Sequence, residues 1–459
     1  MKKVLLVRPP SQRLSHGRWP PFGLAYIASY LHQHSVDVSI KAVDYGLDQF
    51  SPDEWQKQLQ NYQPGVVGIS ILMLNAMNGL KLAQLCKEVD PNITVVMGGV
   101  QATLFPHDCL ENSDIVVRGE GEETFFEIVS GVPKESIQGI SFKRDGQIID
   151  TPPRTPIADL DKLPFPLLSL FEMERYLGNG NPRTGMVLGS RGCPYGCTFC
   201  ASQLFWGRSI RFRSAKNIVD EIELIQEKYQ LEEVGFGDDT LNIPLSRGIE
   251  ICDEIISRNL PNKLQFGTLL RANKATVSAE LFQKMKKANF VGIGFGIESA
   301  SPRVLKAMKK SLNMQEVSNA VKLAHDSGIP SVTGNFMVGN WDESLTDVFK
   351  TWWFVLTHNV DTLFWICTPY PGTEFSKRLL DAGYLKDTPF WWAKIRPGVY
   401  TPVARTNKMS KFTISAVYFV SISLQVSLYL FRAKNFKKFI FFGKRALIET
   451  FRKILPGPA

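Results

Sequence analysis

The stretch Gly189-Ser190-Arg191-Gly192-Cys193-Pro194-Tyr195-Gly196-Cys197-Thr198-Phe199-Cys200 follows a short apolar strand, Met186-Val187-Leu188. It gathers three of the seven cysteines of the chain into a C-x3-C-x2-C run. Gly192 and Gly196 relieve the backbone and Pro194 stiffens it, so three sulfurs can turn toward one point. Thiolates arranged this way hold zinc or an iron–sulfur cluster. A structural zinc site wants four protein ligands, usually as two local pairs. The next cysteine downstream is Cys252, and no histidine lies between His107 and His325. Three ligands without a nearby fourth favour a [4Fe–4S] cluster that keeps one iron open.

This run, with the aromatic Phe199 before its last cysteine, resembles the signature of the radical S-adenosylmethionine (SAM) enzymes. The resemblance implies that Cys193, Cys197 and Cys200 bind the cluster and that SAM chelates its open iron. It also implies a 5′-deoxyadenosyl radical, chemistry that belongs to the cofactor while the protein positions it and excludes water.

Outward from the motif, the chain's 459 residues exceed one ordinary core and point to two or three domains. With 44% hydrophobic and 21% charged residues it reads as globular. Met1-Lys2-Lys3 runs straight into Val4-Leu5-Leu6-Val7, with no signal-peptide cleavage site, and an odd cysteine count argues for a reducing cytoplasm. Much of the net charge of +9 lies in the C-terminal tail. That suits a membrane surface at least as well as nucleic acid, for which no recognition module is visible.

Over residues 1–135, apolar runs at Lys3–Val7, Val36–Val43, Val66–Ile71, Ile93–Met97 and Ile115–Val117 alternate with helix-length segments. The alternation predicts an α/β, Rossmann-like doubly wound sheet with ligands beyond the carboxyl ends of its strands. No G-x-G-x-x-G opens the first helix. Pro20-Pro21-Phe22-Gly23-Leu24-Ala25, Gly68-Ile69-Ser70, Met97-Gly98-Gly99 and Arg118-Gly119-Glu120-Gly121-Glu122 resemble landmarks of the cobalamin-binding domain found in many radical SAM enzymes. The resemblance implies a corrin held by strand-end loops, with Pro9, Ser70, Gly98, Gly99, Gly119 and Glu120 as contacts. The D-x-H-x-x-G motif is absent, which implies cobalamin without a protein histidine ligand, and Gln101 stands where many relatives carry His. A Rossmann-like domain that has lost its cobalamin is the competing expectation.

Residues 136–186 form a connector: a hairpin at Ser141–Ile149 turning at Asp145-Gly146, then Pro152, Pro153, Pro156, Pro164 and Pro166. Leu163-Pro164-Phe165-Pro166 resembles the segment preceding the catalytic domain in this subgroup, and Leu177–Gly185 reads as a surface loop. Over 187–380, six strand–helix repeats predict a partial (β/α)6 barrel with chemistry at its carboxyl ends. Those ends carry Gly237-Asp238-Asp239-Thr240, Arg271, the segment Gly294–Ser299 with Glu298 and Ser299, and the segment Gly334–Gly339 beginning at Gly334. The resemblance places SAM's amino group on one of the two acids, its ribose and sulfonium end on Glu298 and Ser299, and its adenine near Phe199 and Gly334. Arg271 suits a carboxylate and is a candidate cofactor contact; read without the resemblance, a structural Arg271–Glu298 ion pair is the equal alternative. The tryptophans of this region read as core and lid packing.

Residues 381–459 are a helical, basic and apolar extension. Phe412–Phe431 is twenty residues without a charge, diluted by four serines, a threonine and Gln425, which favours a helix packed on the barrel over a membrane span. Lys434–Lys453 alternates aromatic and basic residues and suits an amphipathic helix on an anionic membrane surface. The expected protein is a cobalamin-dependent radical SAM enzyme that methylates an unactivated carbon of a small, apolar or lipid-like molecule. A flavodoxin or ferredoxin is its expected reductant, and its expected place is the cytoplasm or the inner membrane face. A radical cyclase, oxidase or rearrangement enzyme is the alternative of the same class. A cluster carrier without catalysis is the alternative of another class, and it would need no second domain.

Overall fold

In the computed structural model, which describes residues 1–11, 19–35, 37–48, 50–177, 182–388, 390–395 and 402–432, each apolar run of the first domain becomes a strand. They are β1 (Lys2–Arg8), β2 (Val38–Asp44), β3 (Val66–Ser70), β4 (Thr94–Gly98) and β5 (Ile115–Val117), all parallel in the order β2-β1-β3-β4-β5. The order reverses between β1 and β3, so a crevice opens at their carboxyl ends. Helices Phe22–His34 and Glu122–Ser130 cover one face, and Pro52–Tyr62 and Ala76–Val89 cover the other.

The hairpin assigned from sequence to the connector forms as β6 (Ile140–Arg144) and β7 (Gln147–Asp150), with Asp145 and Gly146 both at positive φ. It pairs antiparallel with β5 and extends the first sheet to seven strands. The reason is local: Ile140 and Phe142 bury their side chains in the core of the first domain.

The second sheet takes β8 (Thr184–Val187), then, after the small antiparallel pair β9 (Ser190–Arg191) and β10 (Arg211–Phe212), continues through β11 (Glu233–Phe236), β12 (Gln265–Leu270), β13 (Phe290–Glu298), β14 (Ser331–Val338) and β15 (Asp361–Ile366). Its six strands are all parallel and lie in sequence order, with β8 and β15 as unpaired edges: an open, partial (β/α)6 barrel. Outward-facing Phe236, Phe266, Phe290 and Phe336 stack under the helical layer. Side chains alternate along a strand, so Leu269, Asn335, Leu363 and Trp365 face the lumen. A Cβ on Gly294 would meet Leu269 at 2.6 Å and Asn335 at 3.5 Å, which puts all three on that inner face. Three helices open on serine caps: Ser214 accepts from Asn217, Ser278 from Leu281, and Ser344 closes a capping box with Asp347.

Helix Lys411–Arg432 packs along edge strand β15, as the diluted apolarity suggested. The Phe364 amide donates to Gln425 Oε1 at 3.3 Å, and Trp352 Nε1 donates to Ser421 Oγ at 2.9 Å. Trp391 and Trp392 are buried, whereas Trp353 and Trp365 are exposed, so packing explains only part of the tryptophan set. The predicted tail helix Lys434–Lys453 and residues 178–181 of the loop before β8 lie outside the described residues.

Candidate active site between the two sheets

The carboxyl ends of both sheets face one cavity of about 440 Å³. From the first domain it is lined by Arg8 at the end of β1, Ser70 at the end of β3, Gly98 ending β4 with Gly99 after it, Gly119 and Glu120 after β5, and the helix start Phe22-Gly23. The barrel contributes Met186, Leu188, Ser190, Arg191, Trp206 and Asp239. The cysteine loop follows directly on Gly192 of that lining and is pinned from both sides: Thr198 N donates to Met308 O at 3.0 Å, and Phe375 N donates to Thr198 O at 2.8 Å. Gly192 at its start has φ +96°, and a Cβ there would sit 2.2 Å from Ser209 O, so only glycine fits.

The thiols suit a cluster. Burial pushes Cys200 up to about 11 and raises Cys193, while the amides of Ser202 and Tyr195, bonded to their respective sulfurs, pull back. Metal binding must therefore displace thiol protons, and these amides remain to stabilise the thiolates. Each of these two thiols feels Cys197, so the three sulfurs are near neighbours on one loop.

The corrin side also fits a bulky group. A Cβ added to Gly119 (φ +85°) or Gly23 would meet nothing within 4 Å, so both glycines leave room at the cavity wall. No histidine is among the described residues lining it. Gly99 is a different case: a Cβ there would strike Ile71 O at 2.6 Å, so packing inside the domain, not a ligand, demands glycine. Pro9 lies off the cavity; its carbonyl accepts from Asn75 Nδ2 at 3.4 Å.

The acids divide by role. Asp238 is buried and turned into the protein, where it accepts from Gly189 N at 2.9 Å, from Ser190 Oγ, and from Arg247 at 3.4 Å. Asp239 is the member of the pair on the cavity, bonded to Ser202 Oγ. Glu120 lines the cavity and sends its carboxylate across the domain boundary. There it meets Arg191 at 2.7 Å, Arg211 at 2.9 Å and the Ile157 amide at 2.7 Å. Glu122 takes the other nitrogen of Arg191 at 2.5 Å. Arg191 stands two residues before Cys193 and lies 5.4 Å from the rings of both Tyr26 and Trp206.

The Arg271–Glu298 pair does not form. Arg271 donates to Asn273 Oδ1 at 2.5 Å and to Lys310 O, and its guanidinium lies 3.3 Å from the centroid of Tyr195. Glu298, held at φ +70°, pairs instead with Lys310 at 2.7 Å. Lys310 lies 5.9 Å from the Phe199 ring, so Phe199, Lys310 and Glu298 form one line from the cysteine loop to the end of β13. Ser299 is fully buried behind that end, its hydroxyl accepting from Ser301 N at 3.2 Å. Gly334 shares its face with Phe336, whose ring lies 2.7 Å from where its Cβ would be, so the lumen-facing residue of that segment is Asn335. Sequence reasoning missed Arg191, Tyr195 and Lys310. The cation at 191 inside the motif was the available signal for the first.

A strand-end crevice facing an open barrel with a three-thiol loop defines a two-domain cluster enzyme. Residues 14–129 match the B12 binding domain model and 187–349 match the Radical SAM superfamily model. An uncharacterized methyltransferase of Pyrococcus horikoshii is 32% identical over 451 residues, covering 96% of this chain and 95% of its own length. An anaerobic magnesium-protoporphyrin IX monomethyl ester cyclase of Rubrivivax gelatinosus is 29% identical, covering 80% and 67%. The solved structure of the radical SAM methyltransferase TsrM from Kitasatospora setae superposes with a TM-score of 0.69 at 18% identity, covering 85% of this chain and 76% of that one, and so shares its fold. The chain belongs to the cobalamin-binding radical SAM enzyme family. Its cofactors are a [4Fe–4S] cluster, SAM and cobalamin.

Proposed function

We propose that this enzyme transfers a methyl group to an unactivated carbon of a small, predominantly apolar substrate. The observation that carries the reading is the shared cavity: the first sheet's strand ends and Ser190-Arg191-Gly192, the segment leading into the three-thiol loop, line one space. The bound cofactors supply a one-electron route to a substrate carbon radical and a methyl group to place on it. The chain's residues do the rest. Cys193, Cys197 and Cys200 hold the cluster, and the Phe199–Lys310–Glu298 line and Asp239 present aromatic, cationic and anionic groups to SAM. Gly23 and Gly119 leave room for the corrin. Leu269, Leu363 and Trp365 are half exposed on the barrel lumen and give the substrate an apolar wall. A flavodoxin or ferredoxin in a reducing cytoplasm completes the reading as the electron source.

Anaerobic reconstitution with iron, sulfide and hydroxocobalamin, followed by desalting and an absorbance spectrum, tests the assignment. Cluster bands with stoichiometric corrin bands are expected, and Cys197→Ala should lose the cluster bands while keeping the corrin. Cluster without corrin would overturn methyl transfer and favour a radical reaction without it, such as the cyclase chemistry that the second relative's name describes.

A further inference from the structure

Helix Lys411–Arg432 buries Ile414, Val417, Tyr418 and Ser421 against the barrel and turns Phe412, Phe419 and Val426 outward at heptad spacing. The solvent face of a helix on a water-soluble domain normally carries charge. This one carries none between Lys411 and Arg432. Beside it, joined through the Trp352–Ser421 bond, helix Leu345–Thr357 presents Phe349 (59% exposed), Trp353 (69%) and Leu356 (51%) at i, i+4 and i+7. Its one acid, Asp347, is withdrawn to Arg303 and Ser301, leaving Lys350 as the exposed charge. Apolar faces of this kind mark interaction sites.

Two observations identify the partner. The chain continues past the described helix with 27 residues holding seven lysines and arginines against Glu449 alone, so the uncharged face is flanked by a strongly cationic segment. The helix is also committed to the barrel by its other face. Lifting it into a bilayer core would expose Gln425 and strip the Phe364 amide of its acceptor. An apolar face with an aromatic belt and adjacent basic charge suits the headgroup boundary, not a span.

We propose that the outer surface formed by helices Leu345–Thr357 and Lys411–Arg432 docks on an anionic phospholipid bilayer, with the barrel attached and the helix unspanned. This surface lies outside the cavity, so its test is independent of the reaction. The reconstituted full-length enzyme is floated with vesicles of phosphatidylcholine alone or with added phosphatidylglycerol, at low and high salt. Binding selective for the anionic vesicles and weakened by salt is expected. Neutralising Lys434, Lys437 and Lys438 to Gln should weaken it on the order of 100-fold. Phe419→Glu with Trp353→Glu should abolish it, with circular dichroism and cluster absorbance unchanged. Absence of binding to anionic vesicles would overturn the proposal. So would binding indifferent to the two Glu substitutions, or a dimer in light scattering that those substitutions dissociate while vesicles are ignored.

Discussion

Glu120→Gln separates two roles for the Gly119-Glu120-Gly121-Glu122 loop: cofactor contact, as its sequence suggests, or a latch between the domains. In the structure the carboxylate is nearly buried and balances two arginines, Arg191 and Arg211. Arg191 keeps Glu122 when Glu120 is neutralised, but Arg211 does not have that reserve. Its Nε and Nη2 atoms are buried without hydrogen-bond partners, and Ile157 O is its other bonded acceptor. Removing one member of a buried pair costs about 3–5 kcal/mol. Gln retains one acceptor oxygen, so the lower end, about 3 kcal/mol, is expected. That corresponds to roughly 100-fold more frequent opening of the interface. Hydrogen exchange at the Ile157 amide, which donates to Glu120 at 2.7 Å, reads it. Adding Arg211→Met should recover most of the loss, because removing both charges restores balance. Unchanged protection in Glu120→Gln together with weaker corrin binding would refute the latch and reinstate the contact. Strict additivity in the double variant would refute the pairing.

Other substitutions probe other parts of the site. Gly192→Ala forces a Cβ into Ser209 O at a positive φ, so it should lose most of its iron on reconstitution while leaving corrin binding intact. Gly23→Phe projects a ring from a position with open space around it, and should cut cobalamin retention at least tenfold without changing cluster absorbance. Glu343, buried beside β14, has its carboxyl raised to about 7 by burial, against the pull of the Asn340 and Gly339 amides. A raised acid means that the folded state holds the proton more tightly than the unfolded one. Stability from this group is therefore full below about 4.5 and lost as pH rises toward 7. Glu343→Gln keeps an acceptor for both amides and should flatten the decline of melting temperature between pH 5 and 7; an unchanged slope would show that the group is not responsible.

The first sheet was legible because its central strands are buried on both faces and write themselves as apolar runs, as in Val66–Ser70, and the barrel because its strands bury alternate residues, as in Ser331–Val338. The cysteine loop was legible because spacing alone brings its sulfurs together. The polar residues were less so. Adjacent Asp238 and Asp239 look equivalent in sequence, yet the end of a strand sends one toward Arg247 and the other to the cavity. An ion pair between Glu298 and Arg271 was one of two open readings, since both end neighbouring strands. Its actual partner, Lys310, lies beyond an intervening helix, a relation that periodicity does not carry. The hairpin Ile140–Asp150 was recognised by its turn but not by its address, since pairing with β5 depends on a core assembled elsewhere.

The latch and the cavity are best understood together. Parallel strands aim their carboxyl ends in one direction, so two such sheets can place two cofactors in contact only if they face each other. Apolar packing alone would hold the domains at a range of angles. Arg191 removes that freedom, because its two nitrogens must reach Glu120 and Glu122 while its stem begins two residues from a cluster cysteine. A rotation that separated the corrin loops from the cluster would have to break both bonds in a nearly dry interface. The same arginine borders the cavity, between the rings of Tyr26 and Trp206. A shift of the first sheet's strand-end loops is therefore felt at the cysteine loop through one guanidinium, with Ile157 of the connector tied into the same charge network.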